Sequence, residues 1–260
     1  MRLDQFLVSS GLQESRERAK QAIVQGQVFV NGKVITSPSQ KVIGDEKITF
    51  SDNILTYVSR GALKLKKAIE VFDVDVKDRF VLDIGSSTGG FTEVSLEHGA
   101  KTVIALDVGT NILHSKLRSN PNIIVMENTD FRTVEPNKIS MANLIVTDVS
   151  FISLKHIFPK IKQVFGNIEI VALFKPQFEC GEVLARKYKG VIKDKAIHKS
   201  LLNDFVYYIH ELGYQLTDIN YSPITGKEGN IEYLLHINGK NRKQHNISDI
   251  VNSAFENNTK

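Results

Sequence analysis

The sequence predicts an α/β protein organised on a doubly wound, mostly parallel sheet with helices on both faces, preceded by a small α+β module. Three observations predict it. Phe80–Ile84 is a short apolar run followed by Gly85, Gly89 and Gly90 and then by a periodic helix to His98. Strand, glycine turn and helix in that order bring backbone close to a nucleotide-like ligand. From there to Ile237, apolar runs of strand length alternate with segments of helical period, as βα units do. Before residue 52 the pattern differs: two short amphipathic stretches lead into β-branched runs separated by Asn31-Gly32.

Taken in order, Leu3, Phe6 and Leu7, then Ala19, Ala22 and Ile23, give two short helices around Ser10-Gly11-Leu12. Gln27–Val30 and Val34–Thr36 form a hairpin through Asn31-Gly32, the strongest short turn signal. Val42–Phe50 is expected as a further strand pair around Gly44-Asp45. Residues 1–52 therefore read as one domain and 53–60 as a linker. A second domain spans 61–238, with a polar tail or small helix after Gly239. That second domain opens on a helix to Phe72, whose apolar face is Leu65, Ala68, Ile69 and Phe72. Strands are expected at 80–84, 102–106, 122–126, 143–147, 169–174, 215–221 and 232–237. Helices are expected at about 153–165 and 196–212.

Composition narrows the class. The 260 residues are 42% apolar, enough for ordinary cores, and no run reaches the ~18 residues of a membrane span. Met1 leads directly into Arg2-Leu3-Asp4 without a signal-peptide pattern, so the expectation is cytoplasmic. One cysteine, Cys180, excludes a disulfide framework or a cysteine-cluster metal site, and the seven histidines lack ligand spacing; no metal is expected. A net charge of +4 is a weak hint of nucleic acid. Arg186, Lys187, Lys189, Lys193, Lys195 and Lys199 face only Asp194, which suits an RNA-contacting edge and a solvated surface equally well.

The glycine spacing selects the cofactor. A dinucleotide turn reads G-x-G-x-x-G, with a pyrophosphate on the helix N-terminus. Here it is G-x-x-x-G-G, with Asp83 two residues ahead. A carboxylate there repels a pyrophosphate but suits an ammonium or sulfonium, and S-adenosylmethionine carries both cations and no phosphate. Asp83 and the turn Gly85, Ser86, Ser87, Thr88, Gly89, Gly90 and Phe91 are thus candidates for its methionine end. Asp107, after the second strand, is the candidate for its ribose hydroxyls. Asp148, Lys175 and Glu232 lie at strand ends expected at the carboxyl edge, and Lys64 lies on the helix before the sheet.

Two resemblances sharpen this reading. Arg2-Leu3-Asp4, Gly11-Leu12, Ser15-Arg16, Ala19 and Gly26-x-Val28-x-Val30-Asn31-Gly32-x-Val34 resemble the alpha-L RNA-binding motif of ribosomal protein S-four. That resemblance implies Arg2, Arg16, Arg18, Lys20 and Lys33 as phosphate contacts, which position a protein without reading sequence. The order Lys64, Asp148, Lys175, Glu232 resembles the K-D-K-E tetrad of FtsJ-type ribose 2′-O-methyltransferases, on a Rossmann-like class I methyltransferase sheet. With Tyr57-Val-Ser-Arg-Gly-Ala, Asp148-Val-Ser-Phe-Ile-Ser and Lys175-Pro-Gln-Phe-Glu, the chain resembles the TlyA family along nearly its whole length.

That family's ribosomal RNA cytidine 2′-O-methylation implies an rRNA or ribosomal-subunit partner, with oligomeric state open. It adds Asp130 and Phe131 around the adenine and Arg60 among the RNA contacts. A lysine serving as base must shed its proton, which desolvation and a second ammonium favour. Lys175 is accordingly expected as base and Lys64 as its cationic neighbour. Asp148 would orient Lys175, and Glu232 would hold Lys64 or the ribose. The alternatives are an RNA-binding assembly factor that transfers nothing, or a haemolysin.

Overall fold

The structure, a computed structural model, describes residues 1–13, 15–24, 26–50, 57–239 and 246–258; the side chains of Arg18, Gln21 and Lys227 lie outside that description. Most of the expected linker, residues 53–56, lies outside it too. The chain divides into two compact units, Met1–Tyr57 and Val58–Lys260.

In the first unit, α1 (Leu3–Ser9) and α2 (Arg16–Val24) pack over a sheet of β1 (Val28–Val30), β2 (Lys33–Ile35) and β3 (Ile48–Phe50). The sheet order is β2-β1-β3, antiparallel throughout. Leu3 and Leu7, one helical turn apart, meet Ala19, Ile23, Val28 and Val42 in its core. Asn31 and Gly32 both take positive φ, 50° and 77°, as a two-residue hairpin turn requires. The strand pair expected around Gly44-Asp45 does not form. The Glu46 carboxylate accepts from Ile43 N–H and Gly44 N–H at 3.0 and 2.8 Å. That folds the segment back on itself and leaves only Ile48–Phe50 to pair with β1.

The second unit runs α3 (Ala62–Phe72), β4 (Phe80–Ile84), α4 (Gly90–Glu97), β5 (Thr102–Leu106), α5 (Ser115–Arg118), β6 (Ile123–Met126), β7 (Leu144–Thr147) and α6 (Phe158–Phe165). It continues through β8 (Glu169–Phe174), α7 (Pro176–Glu179), α8 (Gly181–Lys187), α9 (Lys195–Glu211), β9 (Leu216–Tyr221), β10 (Tyr233–Ile237) and α10 (Ile247–Asn258). The sheet order is β6-β5-β4-β7-β8-β10-β9. The first five are parallel, and β10 is antiparallel to both neighbours. Strands buried on both faces explain the near-continuous apolar runs. Chain direction across the sheet reverses between β4 and β7, which opens a crevice at their carboxyl ends. The two exits are close there: a Cβ on Gly85, at φ +84°, would meet Asp148 O at 3.0 Å.

One expectation is corrected, and one stated alternative is decided. The helix expected over 153–165 is a 3-10 turn at Leu154–His156 followed by α6. Pro159 has no N–H to bond one turn back and fits only a first turn, so the α-helix starts anew at Phe158. The polar tail holds α10, whose Val251, Ala254 and Phe255 are buried against α9 and the main core. Among the described residues, no helix is long and apolar enough to cross a membrane.

Candidate active site

Lys64, Asp148, Lys175 and Glu232 meet in one chain of ion pairs at the carboxyl edge of the sheet. Lys175 Nζ lies 2.5 Å from Asp148 Oδ1, and Lys64 Nζ 3.7 Å from Asp148 Oδ2 and 2.6 Å from Glu232 Oε2. Each comes from an element end: the first turn of α3, the exits of β7 and β8, and the residue before β10, which enters this edge because β10 runs antiparallel. Lys64, Lys175 and Glu232 are each no more than 7% exposed. Burying charge is tolerable here because two cations and two anions neutralise one another. Burial pushes the Asp148 carboxyl up, but the Lys175 and Lys64 ammoniums outweigh it and hold it below the usual carboxylate range.

Side chains that the sequence left without a role complete this edge. Ser150 Oγ accepts from Lys175 Nζ at 2.8 Å. Phe151 is 90% exposed and sits at φ +64°, a costly backbone state for an aromatic residue. Its ring meets that of Phe178 at 5.1 Å, and Lys175 Nζ lies 5.7 Å from the Phe178 ring. These residues lie inside the quoted segments 148–153 and 175–179. Only strand adjacency of β7 and β8 reveals that the two segments touch.

Beside the tetrad, Asp83, the penultimate residue of β4, is fully buried. Its Oδ2 accepts from Thr92 Oγ1 at 2.6 Å, while Oδ1 has no partner. Burial, with Asp148 and Asp107 nearby, pushes this carboxyl up to about 7. Asp107 Oδ2 accepts from Ser87 N–H and Oδ1 from Gly109 N–H, both at 2.8 Å. Each oxygen keeps a lone pair for a hydroxyl. Ser86 and Gly85 N–H both donate to Leu106 O, Gly89 N–H closes on Ser86 O, and Thr88 O accepts from His114 N–H. Gly89 has φ +99°, and a Cβ there would overlap Leu117 Cδ1 at 2.3 Å. Gly90 and Phe91 begin α4, and Phe91, like Phe131, is buried.

Asn128 N–H and Thr129 N–H donate to Gly109 O and Asp107 O, which brings the 128–131 segment beside Asp107. Asp130 itself is forked by Arg132, with Nη2 at 2.6 Å from Oδ2, and that hydrogen bond holds its carboxyl low. Glu127, unforeseen from the sequence, accepts from Asn111, Ile112 and Leu113 N–H at 2.9 Å each and from Arg118 at 2.6 Å. Arg118 and those amides hold it at about 2. A buried unpartnered carboxylate oxygen, a second carboxylate facing the glycine turn and an adjoining loop fit the cationic and ribose parts of S-adenosylmethionine.

The expected RNA contacts divide. Arg2 and Arg16 are not free cations: Arg2 Nε lies 2.9 Å from Asp4 Oδ1 and Arg16 Nε 3.0 Å from Asp4 Oδ2. Asp4 is fully buried, and its carboxyl is held at about 2, chiefly by the Arg2 hydrogen bond. Each guanidinium keeps further N–H groups for a phosphate. Lys33, Lys187 and Lys189 are exposed, Lys20 and Arg60 half-buried, and exposed Arg186 pairs with Glu182 at 3.1 Å. The Arg18 side chain lies outside the described residues.

At the other edge of the sheet a cleft of about 670 Å³ is lined by Arg79, Asn143, Glu169 and Asn238 among others. There Arg79 is spent on Glu169 at 2.8 Å and on Asn143. The unpartnered Asp83 Oδ1 lies at the carboxyl edge instead, beside the tetrad.

Residues 57–239 match the FtsJ-like methyltransferase family and residues 1–48 the S4 domain. The chain is 41% identical over 254 residues to the 23S rRNA (cytidine-2'-O)-methyltransferase TlyA of Campylobacter jejuni, covering 91% of this chain and 98% of that protein. It is 38% identical over 237 residues to the 16S/23S rRNA (cytidine-2'-O)-methyltransferase TlyA of Mycobacterium tuberculosis, covering 90% and 88%. A solved Streptococcus thermophilus structure bearing a hemolysin name superposes with a TM-score of 0.76 at 37% identity, over 99% of this chain and 96% of that one.

Proposed function

The chain belongs to the FtsJ-like methyltransferase family and carries an S4 domain, and from that premise we propose that it methylates the ribose 2′-hydroxyl of a cytidine in ribosomal RNA. The observation that carries this reading is the neutral, nearly dry Lys64–Asp148–Lys175–Glu232 chain beside the buried Asp83. S-adenosylmethionine supplies an electrophilic methyl group.

Asp83 Oδ1 and the glycine turn would hold the cofactor's charged end, Asp107 its ribose, and the 128–131 segment its adenine. Asp148 and Ser150 aim Lys175 Nζ at the acceptor hydroxyl. For this Lys175 would stand unprotonated in the reacting complex: as the ribose oxygen bonds the methyl group and the methyl–sulfur bond breaks, Lys175 Nζ would take the hydroxyl proton and Lys64 would steady the negative oxygen. Glu232 fixes Lys64 at 2.6 Å. Holding the two reactants in line can supply ~7–11 kcal/mol, so alignment is a large part of what these residues contribute.

Phe151 and Phe178 offer a face on which the target base can stack, worth ~1–3 kcal/mol per base. Residues 1–52 act as the RNA anchor, 53–60 as the linker and 61–238 as the transferase, to which the packing of α10 adds the C-terminal helix. Arg2, Arg16, Lys20 and Lys33 in the anchor, Arg60 at the end of the linker, and Arg186, Lys187 and Lys189 in the transferase, meet phosphates.

The test is Lys175→Ala, with transfer to rRNA and cofactor affinity measured side by side. Transfer should vanish while S-adenosylmethionine affinity stays near wild type. Loss of cofactor binding instead would make Lys175 a structural residue. Wild-type protein that binds rRNA and cofactor yet transfers nothing would favour an assembly factor.

A further inference from the structure

The tetrad's acid and base sit where neighbouring parallel strands end: Asp148 opens the loop after β7, and Lys175 precedes the short helix α7 after β8. Close to the sheet the two segments are joined by Lys175 to Asp148 and Ser150, and further out by the Phe151–Phe178 ring pair. At the far end stands a third join. Glu179, four residues after Lys175, accepts from Ser153 Oγ at 2.5 Å and from Leu154 N–H at 2.8 Å. Both carboxylate oxygens are thereby used on the opposite loop, and no cation forms an ion pair with them among the described residues. Burial pushes the Glu179 carboxyl up.

The span between the joins is what needs holding. Phe151 has φ +64°, a strained conformation that persists only where the surroundings impose it. Asp148 and Ser150 are fixed on one side of it by Lys175. Without a second fixed point beyond residue 151, the loop could relax Phe151 to negative φ and turn Ser150 away from Lys175. Ser153 and Leu154 are that second point, since Ser153 also caps the 3-10 turn at Leu154–His156 by accepting from Lys155 N–H at 3.1 Å.

We propose that Glu179 is a positioning residue that clasps the 148–154 loop to the 175–179 segment, keeping Ser150 and Phe151 in register with Lys175 for the acceptor nucleotide. The proposal deepens the methyl-transfer reading and rests on it. Glu179 touches neither cofactor nor the reacting atoms. Its loss should therefore lower turnover and spare both cofactor binding and the affinity for rRNA, which rests on phosphate contacts elsewhere.

The test uses full-length protein with Glu179→Ala and Glu179→Gln. Turnover per S-adenosylmethionine-binding site should fall in Glu179→Ala by roughly 10- to 100-fold, the scale of a misplacement of about 1 Å. KM for rRNA and cofactor affinity should stay near wild type. Glu179→Gln, which keeps an acceptor for Leu154 N–H, should recover most of the loss. A role in fold stability alone would lower the number of binding sites and leave turnover per site unchanged. Independently of activity, hydrogen exchange should quicken across residues 148–156 in Glu179→Ala and stay unchanged across 83–91. Unaltered exchange at 148–156, or unaltered turnover per site, overturns the clasp. If Glu179→Ala binds no cofactor, Ser153→Ala, which removes one of the two bonds, takes its place under the same criteria. Wild-type protein inactive on rRNA would count against the methyl-transfer reading, and the exchange result would still decide on Glu179.

Discussion

Asp83 has no access to water, one oxygen bonded to Thr92 and the other to nothing, and a carboxyl raised to about 7 chiefly by burial. Folding thus favours its protonated form. The stability this group contributes is complete below its ordinary value of 3.8 and is lost as pH rises through about 7. A cationic ligand beside Oδ1 prefers the carboxylate, so S-adenosylmethionine should bind more tightly at pH 8 than at pH 6. Titration calorimetry at those two pH values should show that rise in wild type and a flat response in Asp83→Asn. Equal wild-type affinities would place the cofactor's cations away from Asp83. At the neighbouring strand end, Asp107→Ala removes the acceptor for both Ser87 and Gly109 N–H. Cofactor affinity should drop by about tenfold or more, the equivalent of one charged hydrogen bond; an unchanged constant would deny Asp107 the ribose. Asp148, Lys175 and Glu232 were legible because charged residues stand at strand ends, where side chains reach the sheet edge, while Lys64, on a helix, joined them through the resemblance to the FtsJ-type tetrad. Ser150, Glu127 and Glu179 were not, because their partners (Lys175 for Ser150, loop amides and Arg118 for Glu127, a hydroxyl and an amide for Glu179) lie on other segments that sequence patterning does not bring together. Arg2 and Arg16 read as free cations because nothing in the sequence says that Asp4 lies buried between them.

Among the elements, the buried strands and the glycine turn were plain in the sequence, since a run such as Phe80–Ile84 has few other homes. The C-terminal helix was only half so. Its apolar stripe is only Val251, Ala254 and Phe255 with partly buried Ile247 and Ile250, set among asparagines, serines and acids, and composition there left a polar tail and a small helix both open. The structure makes α10 part of the core, with the Phe255 ring 5.0 Å from that of buried His198. His198 in turn bonds Tyr233 at 2.7 Å and Ile192 O at 3.0 Å, next to the strand that follows Glu232. Phe255→Ala should therefore cost about 3 kcal/mol or more, as large-to-small changes at buried aromatics do. Denaturant unfolding measures it, and a loss near zero would return α10 to the status of a surface appendage.

At the scale of the whole molecule, two units with separate cores predict a division of labour. A protein lacking residues 1–57 should fold and bind S-adenosylmethionine, because the sheet, glycine turn and tetrad all lie in the second unit. Its rate on rRNA should collapse. Rising salt should reproduce part of that loss in the full chain, since each phosphate contact releases counterions. Charge reversal at Arg16 and Lys20 should raise the rRNA concentration needed without changing which nucleotide is modified. Equal rates for full-length and truncated protein at moderate salt would deny the first unit its anchoring role. The most direct measurement of the whole account is the chemical identity of the product. Purified protein is incubated with rRNA and labelled S-adenosylmethionine, the RNA is digested to nucleosides, and the label is located by mass spectrometry. Wild type should place the label in 2′-O-methylcytidine and Lys175→Ala should place none; label on a base, or equal labelling by both proteins, would overturn the assignment of Lys175 and of the product.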